Sequence, residues 1–418
     1  MCETSFVVDK NVNLNLTSTI FKELKGQAMR RVVFALAGLL ALSACMDATS
    51  DNIASRSSVA PPKFFIAQTL GPSCAVDERG NGRSQSAAAA ALNRLNANSA
   101  QYVADLRRST SLTVNHEAYS ANWQPVLFNS YAAASTTDAQ LARTIIDGLK
   151  QLARNQRYLN EPGLLTRAQA MQGPPCYSQG ANTPCPTHTP RFVARMYANL
   201  LISAAVLESF MSDDDRQVLI PWFDQGYRKF VAPELAADPG GVYDFANMGL
   251  ARLAYAALKK DMGLAQQELS ARRNEFLKYF EASGYITENS YRGVRGFWYH
   301  TYGLDPALSY ALVAREWGVN YFTDPRLGPR LAAAVQKTEL GIRDHAAFRT
   351  VGNRGSSFST DPADTRDFVH QFALNLYAIA AREFGVRLPP SPMHQRLSRL
   401  ERYSTISGLS ARCYYSNR

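Results

Sequence analysis

Long apolar runs are missing from this 418-residue chain. A membrane-spanning helix needs roughly 20 apolar residues, and the stretch from Val32 to Leu42 falls well short of that. Strand-like alternation of polar and apolar residues is scarce, which argues against a β-sandwich or barrel. No linker interrupts residues 64–418 and no exact internal repeat is visible, so a second domain is not expected. Metal-ligand spacing is missing as well. His188 beside Cys176 and Cys185 is a poor complement of ligands, so neither a metal nor a cofactor is expected. Acidic residues are in deficit, 35 against 45 basic ones, giving a net charge of +10 and a pI near 9.3. Such a surplus attracts anionic partners at long range, and nucleic acid, anionic lipid and acidic polysaccharide all fit it. An ordinary balance of 46% hydrophobic and 19% charged residues allows a sizeable core.

What is present starts with an export signal. Arg30 and Arg31 precede the Val32–Leu42 run, which ends in Leu42-Ser43-Ala44-Cys45. A basic start, a short apolar centre and small residues before a cleavage point make a secretory signal. Its ending resembles a bacterial lipobox, in which the cysteine is lipidated and becomes the mature N-terminus. A plain secretory signal with an incidental cysteine is the alternative. On the lipobox reading, residues 1–28 are an upstream extension before a start at Met29, 29–44 are the signal, 45–62 a Ser/Ala/Asp/Pro-rich tether, and 63–418 the folded domain. Met46, where an aspartate would favour inner-membrane retention, points to a periplasmic protein held at the outer membrane by lipid alone. Export argues strongly against nucleic acid, and a monomer is expected.

Besides Cys2 in the leader and Cys45, four cysteines remain in an oxidising compartment. Cys176 and Cys185 flank a Pro/Gly-rich loop and are expected to pair, with Cys74–Cys413 as the other disulfide.

Helical signals dominate the rest. Helices are expected over 85–107, 191–210, 264–282, 302–318, 326–340 and 365–384. Two more are expected from Ser212 to about Val231, opened by Asp213-Asp214-Asp215, and from about Asp244 to Asp261. Gly/Pro/Ser/Asn clusters separate them at 172–190, 237–241, 284–296, 320–329 and 351–363. Medium helices joined in this way predict an all-α curved array of paired antiparallel helices, an (α/α) incomplete toroid.

The densest polar and aromatic cluster is residues 284–306, with Asn289, Tyr291, Arg292, Arg295, Trp298, Tyr299, His300 and Tyr302 beside glycines. Two arginines can grip a carboxylate, Tyr and His can move protons, and aromatic faces can stack on sugar rings. Composition alone equally allows a helix start with its aromatics packed inward. Asp244, Glu288, Asp305 and Asp367 leave a glycoside-hydrolase carboxylate pair open too.

The cluster resembles the signature R-x-x-R-A-L-x-Y-H-N-Y-x-L of the (α/α) toroid alginate lyases. Here it reads Arg292-Gly-Val-Arg295-Gly-Phe-Trp298-Tyr299-His300-Thr-Tyr302-Gly-Leu304, with the spacing kept. The likeness runs over roughly 190–385 and is strongest at 286–318. It implies β-elimination on an acidic polysaccharide such as alginate. The enzyme neutralises the sugar carboxylate, removes the C5 proton beside it and expels the 4-O-linked chain. The resemblance makes Tyr299 the acid and base, and Arg292 with Asn247 the carboxylate binders. His300 joins this catalytic set by orienting the site, while Arg295, Trp298, Tyr302 and Asn289 contact substrate. An unperturbed tyrosine titrates near 10, so a tyrosine base needs cationic neighbours.

One position departs from the pattern. The family's Asn-Asn-His aligns with Ala246-Asn247-Met248, which puts Met248 where the family has a histidine. Methionine cannot accept a proton. Three outcomes follow: a tyrosine-only route, a substitute among His116, His300, His345 and His370, or a degenerate lyase fold that binds or guides a polysaccharide during secretion.

Overall fold

A computed structural model describes Phe64 and residues 84–110, 113–114, 119–173, 182–237, 241–349, 373–391 and 411–415. Cys45, Cys74, Cys176, His116, His370 and Asp367 lie outside the described residues, as does the side chain of Cys413. Cys185 is buried and disulfide-bonded.

The helices begin with α1 (Gln85–Ala97) and α2 (Ser99–Arg108), followed by α3 (Gln124–Thr136), α4 (Ala139–Arg154) and α5 (His188–Val206). Next come α6 (Asp213–Gly226), α7 (Val242–Lys259) and α8 (Met262–Tyr279). The last long ones are α9 (Gly296–Glu316), α10 (Gly328–Arg343) and α11 (Leu374–Phe384). No strand occurs among the described residues; Phe280 and Ile286 make an isolated antiparallel bridge. No described helix is long and apolar enough to cross a membrane.

Local chemistry explains most boundaries. Ser212, the expected start of α6, forms a capping box with Asp215. Buried Asp215 also holds Arg143 of α4 at 2.8 Å and Lys150 at 2.6 Å, which ties two helices together. Between α7 and α8 the connection is only Lys260, in the left-handed region at φ 57°, and Asp261, whose carboxylate caps Leu264 N–H. Such a short link makes the two helices antiparallel neighbours.

Two of the long described helices were not among the expected ones. The α4 stripe of Leu141, Ile145, Leu149 and Leu152 is fully periodic and buried. In contrast, α3 is buried nearly all round, so its sequence shows no polar face to betray it. A third difference matters more for function. The helix expected from 302 starts at Gly296, so Trp298, Tyr299 and His300 are helical as well.

One large apolar core runs through these helices, with Trp222, Tyr197, Phe230, Phe276 and Tyr310 among its largest members. At its centre α7 packs against α5, α8 and α9. The first turn of α7 is thereby wedged between α5 on one side and α9 on the other.

Candidate active site

The helical period sorts the motif into two faces. Trp298 and Tyr302 are four residues apart and Tyr299 and Tyr302 three, so all three share one side of α9. They are half-buried, whereas Phe297, His300 and Leu304 point into the core. The Trp298 ring lies 4.8 Å from that of Tyr299 and 5.2 Å from that of Tyr302, while Tyr299 and Tyr302 are 6.3 Å apart. One turn earlier, the Arg292 guanidinium sits 4.2 Å over the Tyr299 ring. Its Nε is held by donation to the Glu288 carbonyl at 2.7 Å. The result is a cation fixed against an aromatic shelf that solvent can reach. Arg295 ends the 3-10 turn Gly293–Arg295 that leads into α9 and is half-buried.

The wall beside the shelf comes from α7 and α5. Tyr243, in the first turn of α7, packs 4.5 Å from the Tyr302 ring. The next residue, Asp244, is clasped by Arg191 at 2.5 Å and Arg195 at 2.7 Å, both from α5. Burial acts to raise the Asp244 carboxyl, but the two guanidinium groups outweigh it and hold the group below its usual range. Burial likewise pushes the Tyr302 and Tyr243 phenols up. Two cations sharing one buried anion leave this wall net positive. Asn247 follows one turn beyond Tyr243 and Asp244 and is buried. Met248 is 2% exposed and belongs to the main core.

Two residues expected to meet substrate are spent inside the scaffold instead. Asn289 is fully buried; its Oδ1 accepts from Val242 N–H at 3.2 Å and its Nδ2 donates to the Tyr299 carbonyl at 2.9 Å. This clip sets the start of α7 against α9, and it needs Gly303, where a Cβ would come within 2.5 Å of the amide. His300 is fully buried as well. Its Nε2–H donates to the Ala334 carbonyl at 3.1 Å, so Nδ1 accepts from the Ser290 hydroxyl at 2.9 Å. Burial lowers its pKa to about 4, and a neutral ring with both nitrogens engaged cannot face a substrate. His345 is half-buried against Phe297.

The carboxylate-pair reading weakens on the same grounds. Asp244 is bound to two arginines, and buried Asp305 accepts from Leu376 N–H at 3.0 Å. No group of three or more His, Cys, Asp or Glu among the described residues could hold a metal ion. Sequence reasoning missed the α5 contribution, although the i, i+3, i+7 spacing of His188, Arg191 and Arg195 was there to be read.

A scan against protein-family models finds no match, and a search of curated proteins finds none either. Solved structures do match. Alginate lyase A1-III from Sphingomonas species A1 aligns with a TM-score of 0.51 and 14% identity over 82% of this chain and 96% of that one. Two variants of alginate lyase A1-III complexed with tetrasaccharide align at a TM-score of 0.49 and 14% identity. Each covers 70% of this chain, and 77% and 76% of its own. The first likeness shows the fold, the all-α (α/α) toroid expected from the sequence.

Proposed function

We propose that this protein is a polysaccharide lyase that cleaves an acidic, uronate-containing polymer such as alginate by β-elimination. The observation that carries the reading is the Arg292 guanidinium fixed 4.2 Å over Tyr299 on a half-exposed shelf with Trp298 and Tyr302. An aromatic shelf suits a sugar ring, and a basic wall suits a sugar acid. In this reading Arg292 and Asn247 neutralise the carboxylate so that the C5 proton becomes removable. Tyr299 takes that proton, the C4–O bond breaks as the C4=C5 double bond forms, and the tyrosine returns a proton to the leaving oxygen. Nothing is oxidised and no co-reactant is needed. Trp298 and Tyr302 hold the ring, and Arg295 steadies the turn below it. Asn289 and His300 act by positioning the shelf. The Arg30–Cys45 segment makes it an exported, lipid-anchored protein of the periplasm, where such polymers pass.

Incubation with a panel of acidic polysaccharides tests this. Ultraviolet absorbance from unsaturated sugar is expected with wild type and is expected to be lost in Tyr299→Phe, which keeps its affinity. Unsaturated product from Tyr299→Phe would rule out the tyrosine mechanism. One observation favours a second reading: Met248, aligned with the family's histidine, is a core residue. A degenerate lyase fold that binds polymer without cutting it would show affinity and no product.

A further inference from the structure

Glu288, just ahead of Arg292, sits in a backbone conformation that its side chain disfavours, with φ of 67°. Among the described residues, Thr137 and Lys260 share a positive φ but end α3 and α7, where left-handed residues are ordinary. Gln156 and Tyr158 follow closely on the end of α4. Glu288 ends no helix. It is the third residue of a tight turn in which the Ile286 carbonyl accepts from Asn289 N–H at 3.1 Å and from Ser290 N–H at 2.7 Å. Ser290 Oγ closes the turn by accepting from Ile286 N–H at 2.7 Å. A positive φ at that place ordinarily selects glycine or asparagine. The glutamate side chain is exposed; what reaches the site is its main chain.

Two parts of the site hang on that conformation. The Glu288 carbonyl takes the Arg292 Nε–H at 2.7 Å, and the same guanidinium lies 4.2 Å over the Tyr299 ring. The next side chain, Asn289, is fully buried and serves α7 and α9 at once. Gly241, at the start of α7, has no side chain to cap it, so Val242 N–H is taken by Asn289 Oδ1 at 3.2 Å. Asn289 Nδ2 holds the Tyr299 carbonyl at 2.9 Å. Val242 opens the helix that carries Tyr243, Asp244 and Asn247. A switch of residue 288 to negative φ would turn its carbonyl away from Arg292 and swing Asn289 out of this cap. Arg292, Tyr299 and the start of α7 thus share one backbone anchor.

We propose that Glu288 is a positioning residue of this site, its left-handed backbone fixing the Arg292 guanidinium over Tyr299 and the Asn289 amide between α7 and α9. Bonds on both sides over-determine the conformation: Ile286 and Ser290 within the turn, Val242 and Tyr299 beyond it. Strain held in this way at a site is a means of preorganisation, since the cation need not be ordered when an anionic sugar arrives. The role rests on the lyase reading for its use, but the geometry it sets is present without substrate. It also assigns the work at position 288 to the main chain and not to the carboxylate. Variants that keep a positive φ there should therefore work whatever their charge.

The test varies the backbone preference of residue 288. Glu288→Asn and Glu288→Gly tolerate positive φ, Glu288→Gln removes only the charge, and Glu288→Val resists the conformation most. On an acidic polymer that wild type cleaves, kcat/KM is expected to stay within about threefold of wild type in the first three and to fall at least about 30-fold in Glu288→Val. The Tm of Glu288→Asn should match or exceed that of wild type. NMR of the free proteins reads the geometry itself. In wild type and Glu288→Asn the Arg292 Nε–H is expected to be protected from solvent exchange and shifted by the Tyr299 ring. Both signs should be absent from Glu288→Val. A folded Glu288→Val with wild-type kcat/KM, or an equal loss in any of the other three, would overturn the proposal. So would an unprotected, unshifted Arg292 Nε–H in wild type, a result that stands even if Glu288→Val fails to fold. If wild type makes no unsaturated product from any acidic polymer, the lyase reading falls, and the Arg292 signal alone then decides whether Glu288 positions it.

Discussion

His188 and His300 are both buried, both neutral and both bonded to a serine through Nδ1, yet they stand in opposite situations. At His300 the serine donates and the other nitrogen is used up on the Ala334 carbonyl, so the ring is a rivet between α9 and α10. At His188 the serine accepts, and the ring packs edge-on against Phe192. The direction of one hydroxyl proton separates a ring whose Nδ1 accepts from one whose Nδ1 donates. Position within a sequence motif does not separate them, because the motif contains His300 and omits His188.

The comparison predicts unequal costs of substitution. His300→Ala removes both bonds of a sealed ring and leaves a cavity beside Phe297 and Phe348, so about 3 kcal/mol of stability should be lost. His188→Ala loses one hydrogen bond, to Ser109, and should cost about 1 kcal/mol. Chemical denaturation of the two variants checks this, and equal losses would erase the distinction.

Acid tests the burial of His300. The folded-state pKa of His300 is about 4 against an ordinary 6.5, so the unfolded chain binds the extra proton between those values. Its contribution is complete above about pH 6.5 and lost as pH falls toward 4, a change on the order of 3 kcal/mol. Urea midpoints measured across that window should fall with pH in wild type and fall less in His300→Gln.

Met248→His comes next in size. From the sequence alone, restoring a histidine there would widen the substrate range. The structure instead puts Met248 in the apolar core, where an imidazole would lack partners and cost about 2 kcal/mol. The expected outcome is a lower Tm with no new substrate. Ser109→Ala is the mildest change, at about 1 kcal/mol. It removes the acceptor of the His188 Nδ1–H, and its signature is a small fall in the midpoint of chemical denaturation.

Much of the fold was legible because amphipathic helices announce themselves. The α6 start at Ser212 and the α5 and α7 stripes follow directly from capping and period. The α3 helix was not legible, because a helix buried all round carries no polar face. At the site, the Arg292–Tyr302 spacing led to the shelf, and the same spacing holds a clue that was passed over. Phe297, His300 and Leu304 repeat on one side of a helix, which marks His300 as inward once the segment is known to be helical. Asp244 with Arg191 and Arg195 was beyond reach, since those residues meet only through packing of α5 on α7 across 49 and 53 positions of sequence.

The account stands most directly on the masses of the fragments released from an acidic polymer by the purified wild-type protein. Elimination adds no water, so each cut should yield two fragments whose masses sum to the parent, one carrying the unsaturated sugar at its new non-reducing end. Fragments that together gain one water per cut would show hydrolysis, and an intact polymer would show binding alone; either result would contradict the account.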